Sequence, residues 1–451
     1  MRREICTLSN FCPLLAPCGA MDYNREKPLQ GDDTMNIQEL LHSFPCTCGH
    51  EHRCDIQHVE IGRGAVSALT ALCRDAKTVL VISDENTFAA AGAQTMAALE
   101  DKEILSVTYR GDTLLVPNEE AVAAMEPHLG RAEAIVAIGA GVMQDLGKYG
   151  ASMAKIPCHV VATAPSMDGY ASTGAAMIMG GMKVTYPVSV PTSILADTAV
   201  LQNAPMELIR AGYGDIVGKF SALNDWKLSH LVKGEYFCQK VYDLMDSALQ
   251  KTLSLADGLV RRDAEAVEAL MEALVVAGIA MAFAGTSRPA SGSEHHLSHF
   301  FENIGILQKE PYFPHGIDVA YSTVITAQIR RQLLAAPFPR KAVPFDRADW
   351  EANMARIYTT SAPGYIALQD KVGHYATDRM DAYLGKEEAI RSVLAEVPAP
   401  EEIDQMLRAV GLEMEEFYEL YSEEKLRDAL LYAKDLKDRY SVLWMYWDLL
   451  R

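Results

Sequence analysis

The sequence predicts an α/β N-terminal domain, a parallel Rossmann-like sheet covered by helices, joined to an all-α C-terminal domain. Three observations carry that prediction. From residue 56 to about 200, short apolar runs alternate with helical periodicity, the mark of parallel strands buried on both faces. From about Pro205 onward, long helical patterns continue with almost no strand signal. The 451 residues are 49% hydrophobic and 22% charged, chain enough for about two or three domains with real cores, and free of collagen-like or disordered bias.

The elements follow in order. Residues 1–34 lack hydrophobic periodicity and read as a disordered leader or, preferably, as sequence ahead of a true start at Met35, which opens an apolar-periodic run. Residues 56–61 read as a strand, 65–73 as a helix, 78–82 as a buried strand, 87–99 as a helix and 103–109 as a strand. Asn118 offers an N-cap before an acidic first turn, so a helix is expected over 118–125. Residues 134–138 and 159–163 are strands flanking a helix at 144–153. In the second half, helices are expected over 264–283, 316–334 and 412–431.

Charge and cysteine usage narrow the function classes. With 60 Asp+Glu against 41 Lys+Arg, the formal charge is −19, an acidic field that a phosphate polymer would avoid, so no nucleic acid partner is expected. The apolar stretch 273–285 falls short of the ~18–20 residues of a spanning helix, so no membrane span is expected. Nine cysteines without a convincing secretory signal point to reduced thiols in a cytoplasm. The cluster Cys46-Thr-Cys48-Gly-His50-Glu-His52-Arg-Cys54 has zinc-type ligands, but such sites usually take two separated ligand pairs. No second Cys pair follows downstream, and the segment is read as a loop.

Strand 134–138 runs into Gly139-Ala140-Gly141-Val142, a glycine turn that lets backbone approach a diphosphate at a helix N-terminus. A tight strand-to-helix turn would look the same, and the full dinucleotide fingerprint fails at Gln144. Asp145 and Lys148 share one face of the following helix, as ligand groups or as a solvated ion pair. Asp84, at the end of strand 78–82, suits an adenosine ribose and equally suits a helix N-cap. The segment Thr163-Ala-Pro-Ser166-Met-Asp168-Gly-Tyr-Ala-Ser172 sets hydroxyls and a carboxylate at the carboxyl end of a parallel strand, where ligands bind in open α/β sheets.

Three later segments concentrate polar groups: Gly214-Asp215-Ile-Val-Gly-Lys219, Ser293-Glu294-His295-His296-Leu-Ser-His299, and Pro314-His315-Gly316. One acid and two histidines can make a three-ligand metal site with an open position, although a pair of histidines at i, i+4 is more often surface or core than ligand, so the pattern alone raises a metal site only as a candidate.

Taken together with Ser287-Arg-Pro-Ala-Ser-Gly, these segments resemble the sn-glycerol-1-phosphate dehydrogenase family, its bacterial AraM-like branch, within the superfamily of iron-containing alcohol dehydrogenases, glycerol dehydrogenase and dehydroquinate synthase. The resemblance runs from about Pro45 to the C-terminus. It implies a dehydroquinate synthase-like fold, with a nucleotide-binding domain over 35–205 and a helical metal- and substrate-binding domain over 206–451. It implies one divalent ion, Zn2+ or Ni2+, on Asp215, His295 and His315. NAD(H) or NADP(H) would be held by Asp84, Gly139, Gly141, Val142, Asp145, Lys148, Thr163, Ser166 and Ser172. Asp168 and His299 would be catalytic and would touch the substrate with Lys219. That substrate would be dihydroxyacetone phosphate, reduced to sn-glycerol 1-phosphate in the cytoplasm by a homodimer or larger homo-oligomer. Ala140 departs from a common second glycine. Lys219 stands where some relatives have a fourth ligand, and is the first choice for the substrate phosphate, with Lys148, Lys183 and Arg288 behind it. The proton could come through metal-bound water or from the His299–Asp168 region. Rival readings are a polyol dehydrogenase of the same fold and a non-catalytic nucleotide-binding relative.

Overall fold

The buried apolar runs become strands of one sheet. The computed structural model describes residues 37–451 except 114 and 181, so the expected leader lies outside the described residues. A small hairpin pairs β1 (Phe44–Pro45) with β2 (Glu51–His52), where a loop was expected. There follow β3 (His58–Ile61), β4 (Thr78–Asp84), β5 (Glu103–Tyr109), β6 (Ala134–Gly139), β7 (Cys158–Ala162), an antiparallel hairpin of β8 (Gly174–Met179) and β9 (Met182–Pro187), and β10 (Ser193–Ala196). Six of these form a parallel sheet in the order β3-β10-β7-β6-β4-β5. Central β6 and β7 are buried at every residue, whereas edge strand β5 alternates buried with exposed positions, as strand position dictates. After β10 only helices and turns follow among the described residues, and residues 37–451 pack as one unit.

The chain leaves β4 for β5 on one side, then crosses to β6 on the other. The carboxyl ends of β4 and β6 therefore flank a topological switch point, where open α/β sheets leave a crevice for ligands. Asp84 ends β4 and Gly139 ends β6.

Two helical expectations match closely, at Ala264–Ala284 and His315–Ala335. Helix Ala264–Ala284 is long and apolar enough to cross a membrane by composition, but its most apolar window is 78% buried inside the protein, as befits a core helix. The helix expected over 412–431 is two helices, Met414–Leu420 and Glu423–Tyr432. Between them Tyr421 turns inward, stacking on Phe301 at 4.1 Å and donating to Asp318 at 2.9 Å, while Ser422 caps the second helix.

Candidate active site

Close backbone contact between helices assembles the ligand set. Asp215 lies on helix Met206–Val217, His295 on Ser293–Gln308, and His315 opens His315–Ala335. A Cβ added at Gly214 or Gly316 would overlap a carbonyl of the facing helix, so only glycine permits this approach. Asp215, His295 and His315 thereby each present a ligand atom within 4.8 Å of the others. The His299 ring lies beside both, 5.9 Å from His295 and 5.3 Å from His315.

Glu294 completes the arrangement. Its Oε1 accepts from the Gly292 N–H at 2.7 Å and lies 2.7 Å from His295 Nδ1. With that oxygen already accepting, the ring proton sits on Nδ1, leaving the Nε2 lone pair facing Asp215 Oδ1 at 3.6 Å. Burial above all, with Lys219 and His315 adding, holds His295 well below the ordinary histidine range and keeps it neutral, as a metal ligand must be. One carboxylate and two imidazoles fit a divalent ion of borderline softness.

Lys219 departs from expectation. It is fully buried, and its three N–H donors go to Asp168 Oδ2 at 2.6 Å, Asp215 Oδ1 at 2.8 Å and the Ala290 carbonyl at 3.0 Å. Burial opposes the ammonium, but the two carboxylates outweigh it and hold Lys219 above its ordinary range. With no donor left for a phosphate, it is a cation that fixes Asp168 against Asp215. Arg288 is likewise committed, to Glu235, Ser229 and the Tyr440 carbonyl. The side chain of Lys183 lies outside the described ones.

Lys148 is also internal. Its Nζ donates to the Gly169 carbonyl at 2.9 Å, Ser172 Oγ at 3.2 Å and the Gly174 carbonyl at 2.6 Å, and lies 3.1 Å from Asp145 Oδ1. It pins the 168–174 segment and orients Asp145 rather than facing a ligand. Asp84 is the N-cap of helix Glu85–Ala98, accepting from Thr87 N–H at 2.8 Å, and it also lines the cleft.

The cleft runs from the switch point to the histidines and has a volume of about 2040 Å³. A single-ligand pocket is commonly ~300–1,000 Å³, so this one has room for a dinucleotide and a small substrate together. Asp84, Gly141, Val142, Asp145, Thr163, Ser166, Asp168, Ser172, His295, His299 and His315 all line it; Gly139, Lys148, Asp215 and Lys219 lie behind its wall. Two site residues escape sequence reasoning. Glu294 is signalled only by its place beside a ligand histidine. Lys437, which lines the cleft and donates to Ser291 Oγ at 3.2 Å, arrives from the C-terminal tail with no local signal.

Residues 60–205 match the family model described as iron-containing alcohol dehydrogenase. The chain is 32% identical over 408 residues to the glycerol-1-phosphate dehydrogenase [NAD(P)+] of Bacillus licheniformis, covering 88% of this chain and 90% of that protein. It is 31% identical over 378 residues to the enzyme of that name from Geobacillus stearothermophilus, covering 81% and 86%. The structure of an iron-containing alcohol dehydrogenase from Thermococcus thioreducens superposes with a TM-score of 0.54 at 16% identity, covering 84% of this chain and 90% of the other, a likeness of fold. By its identity to these relatives over most of both lengths, the chain belongs to the glycerol-1-phosphate dehydrogenase family of the iron-containing alcohol dehydrogenases.

Proposed function

We propose that this chain is an oxidoreductase that reduces dihydroxyacetone phosphate to sn-glycerol 1-phosphate, reversibly, with NADH or NADPH. The observation that carries the reading is a carboxylate–bis-imidazole set beside a cleft whose far end is the switch point of a parallel sheet. The names of the curated relatives support the same activity. Asp84 would hold the adenosine ribose. Gly139, Gly141 and Val142 would take the diphosphate at the start of helix Gly141–Ala154, which no side chain caps. Thr163, Ser166 and Ser172 line the path between, and Asp145 is held in place by Lys148.

Asp215, His295 and His315 would hold Zn2+ or Ni2+. When bound, the nicotinamide supplies a hydride and the ion polarises the substrate carbonyl as a Lewis acid. His299, in the cleft beside both histidine ligands, would protonate the new alkoxide. Asp168, anchored by Lys219, would orient a substrate hydroxyl. The phosphate would meet Lys437 and Ser291. Cytoplasmic homodimers or larger homo-oligomers belong to the same reading, and light scattering of the purified protein measures the assembly.

The test compares dihydroxyacetone phosphate with dihydroxyacetone as oxidants of NADH, with chiral analysis of the product. Rapid turnover of the phosphorylated ketone to the sn-1 product is expected. Equal rates on both ketones would make the chain a polyol dehydrogenase. Asp215→Ala and His315→Ala are expected to lose metal and turnover together, and full activity of metal-stripped His315→Ala would overturn the ligand assignment. Strong NADPH preference would remove the role given to Asp84.

A further inference from the structure

Far along the chain from the acid and histidines of the cleft, the 46–54 segment has found a partner. Its two cysteines Cys46 and Cys48 and its His52 meet Cys238, the residue that precedes helix Gln239–Ser254. Each of the four offers a ligand atom, and all four atoms lie within 4.8 Å of one another. The separations are informative. Cys46 Sγ and Cys238 Sγ are 3.7 Å apart, while His52 Nε2 is 3.4 Å from Cys238 Sγ and 3.6 Å from Cys48 Sγ. A tetrahedral zinc with Zn–S of about 2.3 Å and Zn–N of about 2.0–2.1 Å requires S···S edges of about 3.75 Å and S···N edges of about 3.55 Å. The three observed distances are close to three of that tetrahedron's six edges, and the other three are no longer than 4.8 Å. A disulfide would need sulfurs at about 2.05 Å.

We propose that Cys46, Cys48, His52 and Cys238 hold a structural Zn2+ in a closed Cys3His site, separate from the ion proposed for catalysis. The surroundings are those of a built site. His52 is fully buried, and its Nδ1 donates to the Phe283 carbonyl at 2.9 Å, which directs the Nε2 lone pair at the thiols. The β1–β2 turn is shaped to present two sulfurs: Cys46 N–H donates to the His50 carbonyl, Gly49 N–H donates to the Cys46 carbonyl, both at 3.1 Å, and Gly49 takes a φ of +87° that favours glycine. The Tyr236 hydroxyl lies 3.2 Å from Cys48 Sγ, placed to donate to a thiolate, and the Tyr236 ring stacks on His50 at 4.2 Å. Cys238 directly precedes helix Gln239–Ser254 and is buried, so its sulfur is held in one place against the turn. Binding releases the three thiol protons to solvent and needs no oxidant.

The site joins a two-stranded hairpin, too small to be stable alone, to helices Gln239–Ser254 and Ala264–Ala284 across 192 residues of chain. Arg53 and Asp55, which follow directly, line the cleft, so the cross-link anchors one of its walls. The ligands are a local Cys-x-Cys…His group and one distant cysteine, which explains why no second pair is found in the sequence.

The test counts metal in the full-length protein, purified without chelator or metal-affinity steps. Wild type is expected to carry two equivalents of divalent metal and His315→Ala one, which resists dialysis. Cys238→Ser and Cys48→Ser are expected to lose that one and keep the cleft ion. Because these variants could misfold, the wild type and His315→Ala proteins are also reconstituted with Co2+. A thiolate-to-cobalt charge-transfer band with strong tetrahedral visible bands is expected in both. Absence of that band overturns the proposal, as does a Cys238→Ser protein with undiminished metal, or a Cys46–Cys238 disulfide in the unreduced protein in place of metal.

Discussion

Glu294 is not itself one of the proposed metal ligands, yet its contact with His295 makes it a residue on which metal affinity is expected to depend. Its Oε1 is the partner of His295 Nδ1, and that contact decides which imidazole nitrogen faces Asp215. Replacing it with leucine leaves Nδ1 without its acceptor and lets the ring exchange tautomers. Loss of such an outer partner typically weakens metal binding ~10–100-fold. Glu294→Leu is therefore expected to release the cleft metal to a competing chelator at that lower affinity, while saturating metal restores most of kcat. Glu294→Gln keeps an acceptor oxygen and should fall between. Wild-type affinity in Glu294→Leu would remove the tautomer role. At this scale the proposed ligands are legible only as candidates: Asp215, His295 and His315 each sit in a short polar island within apolar or glycine-rich sequence, and the resemblance to a family, not the islands, singles them out. The roles of the lysines are not legible. Nothing local distinguishes Lys219, buried between two carboxylates, from Lys437 on the cleft wall, since only packing decides which ammonium meets solvent.

Between elements, the contact that matters is the crossing of helices Met206–Val217 and His315–Ala335. Gly316 meets the Ala211 carbonyl and Gly214 meets the Gly316 carbonyl, with Ala320 also against Gly214, so the two backbones pack without side chains between them. A methyl group at 316 must push the helices apart, and rigid cores relax only in part, at a cost of about 1–3 kcal/mol for overpacking. The same displacement separates Asp215 from His315. Gly316→Ala is expected to lower thermal stability by that amount and to lose cleft metal and turnover together, while far-ultraviolet circular dichroism stays helical. Retained metal at wild-type affinity would show that the crossing does not set the ligand spacing. Elements with long buried runs are the ones readable in advance: the all-buried strands β6 and β7 and the mostly buried helix Ala264–Ala284 leave long apolar signatures. The break at Tyr421 and the β8–β9 hairpin leave none. One is imposed by the distant Asp318 and Phe301, and the other is seated where Lys148 meets the Gly174 carbonyl.

The whole molecule carries a formal charge of −19, yet both proposed ligands are anions. At ~0.01 M salt the Debye length is about 30 Å, so an approaching phosphate dianion feels most of that charge. At ~0.15 M it is about 8 Å, and only groups near the cleft act. Three basic side chains that line the cleft are Arg53, Arg110 and Lys437. Arg53 pairs with Asp55 and Arg110 with Asp112. Lys437 donates to Ser291 Oγ and lies near enough to His295 to bear on its charge, which sets it at the histidine end of the cleft. The far field is thus repulsive and screenable, while the near contact is attractive and largely shielded from salt. For the wild type, kcat/KM for dihydroxyacetone phosphate is expected to rise as salt goes from about 0.01 to 0.15 M, opposite to an electrostatically steered enzyme. Uncharged dihydroxyacetone should show little such rise. Lys437→Gln removes a hydrogen bond to a charged group, about 1.5–3 kcal/mol, or roughly ten- to a hundredfold in kcat/KM for the phosphorylated ketone. Its slower turnover of dihydroxyacetone should be untouched. Steady-state kinetics of both ketones at two salt concentrations separate the two effects. If Lys437→Gln harms both substrates equally, the phosphate is bound by another group and Lys437 only supports the Ser287–Ser291 turn; if it harms neither, the lysine does not face the substrate.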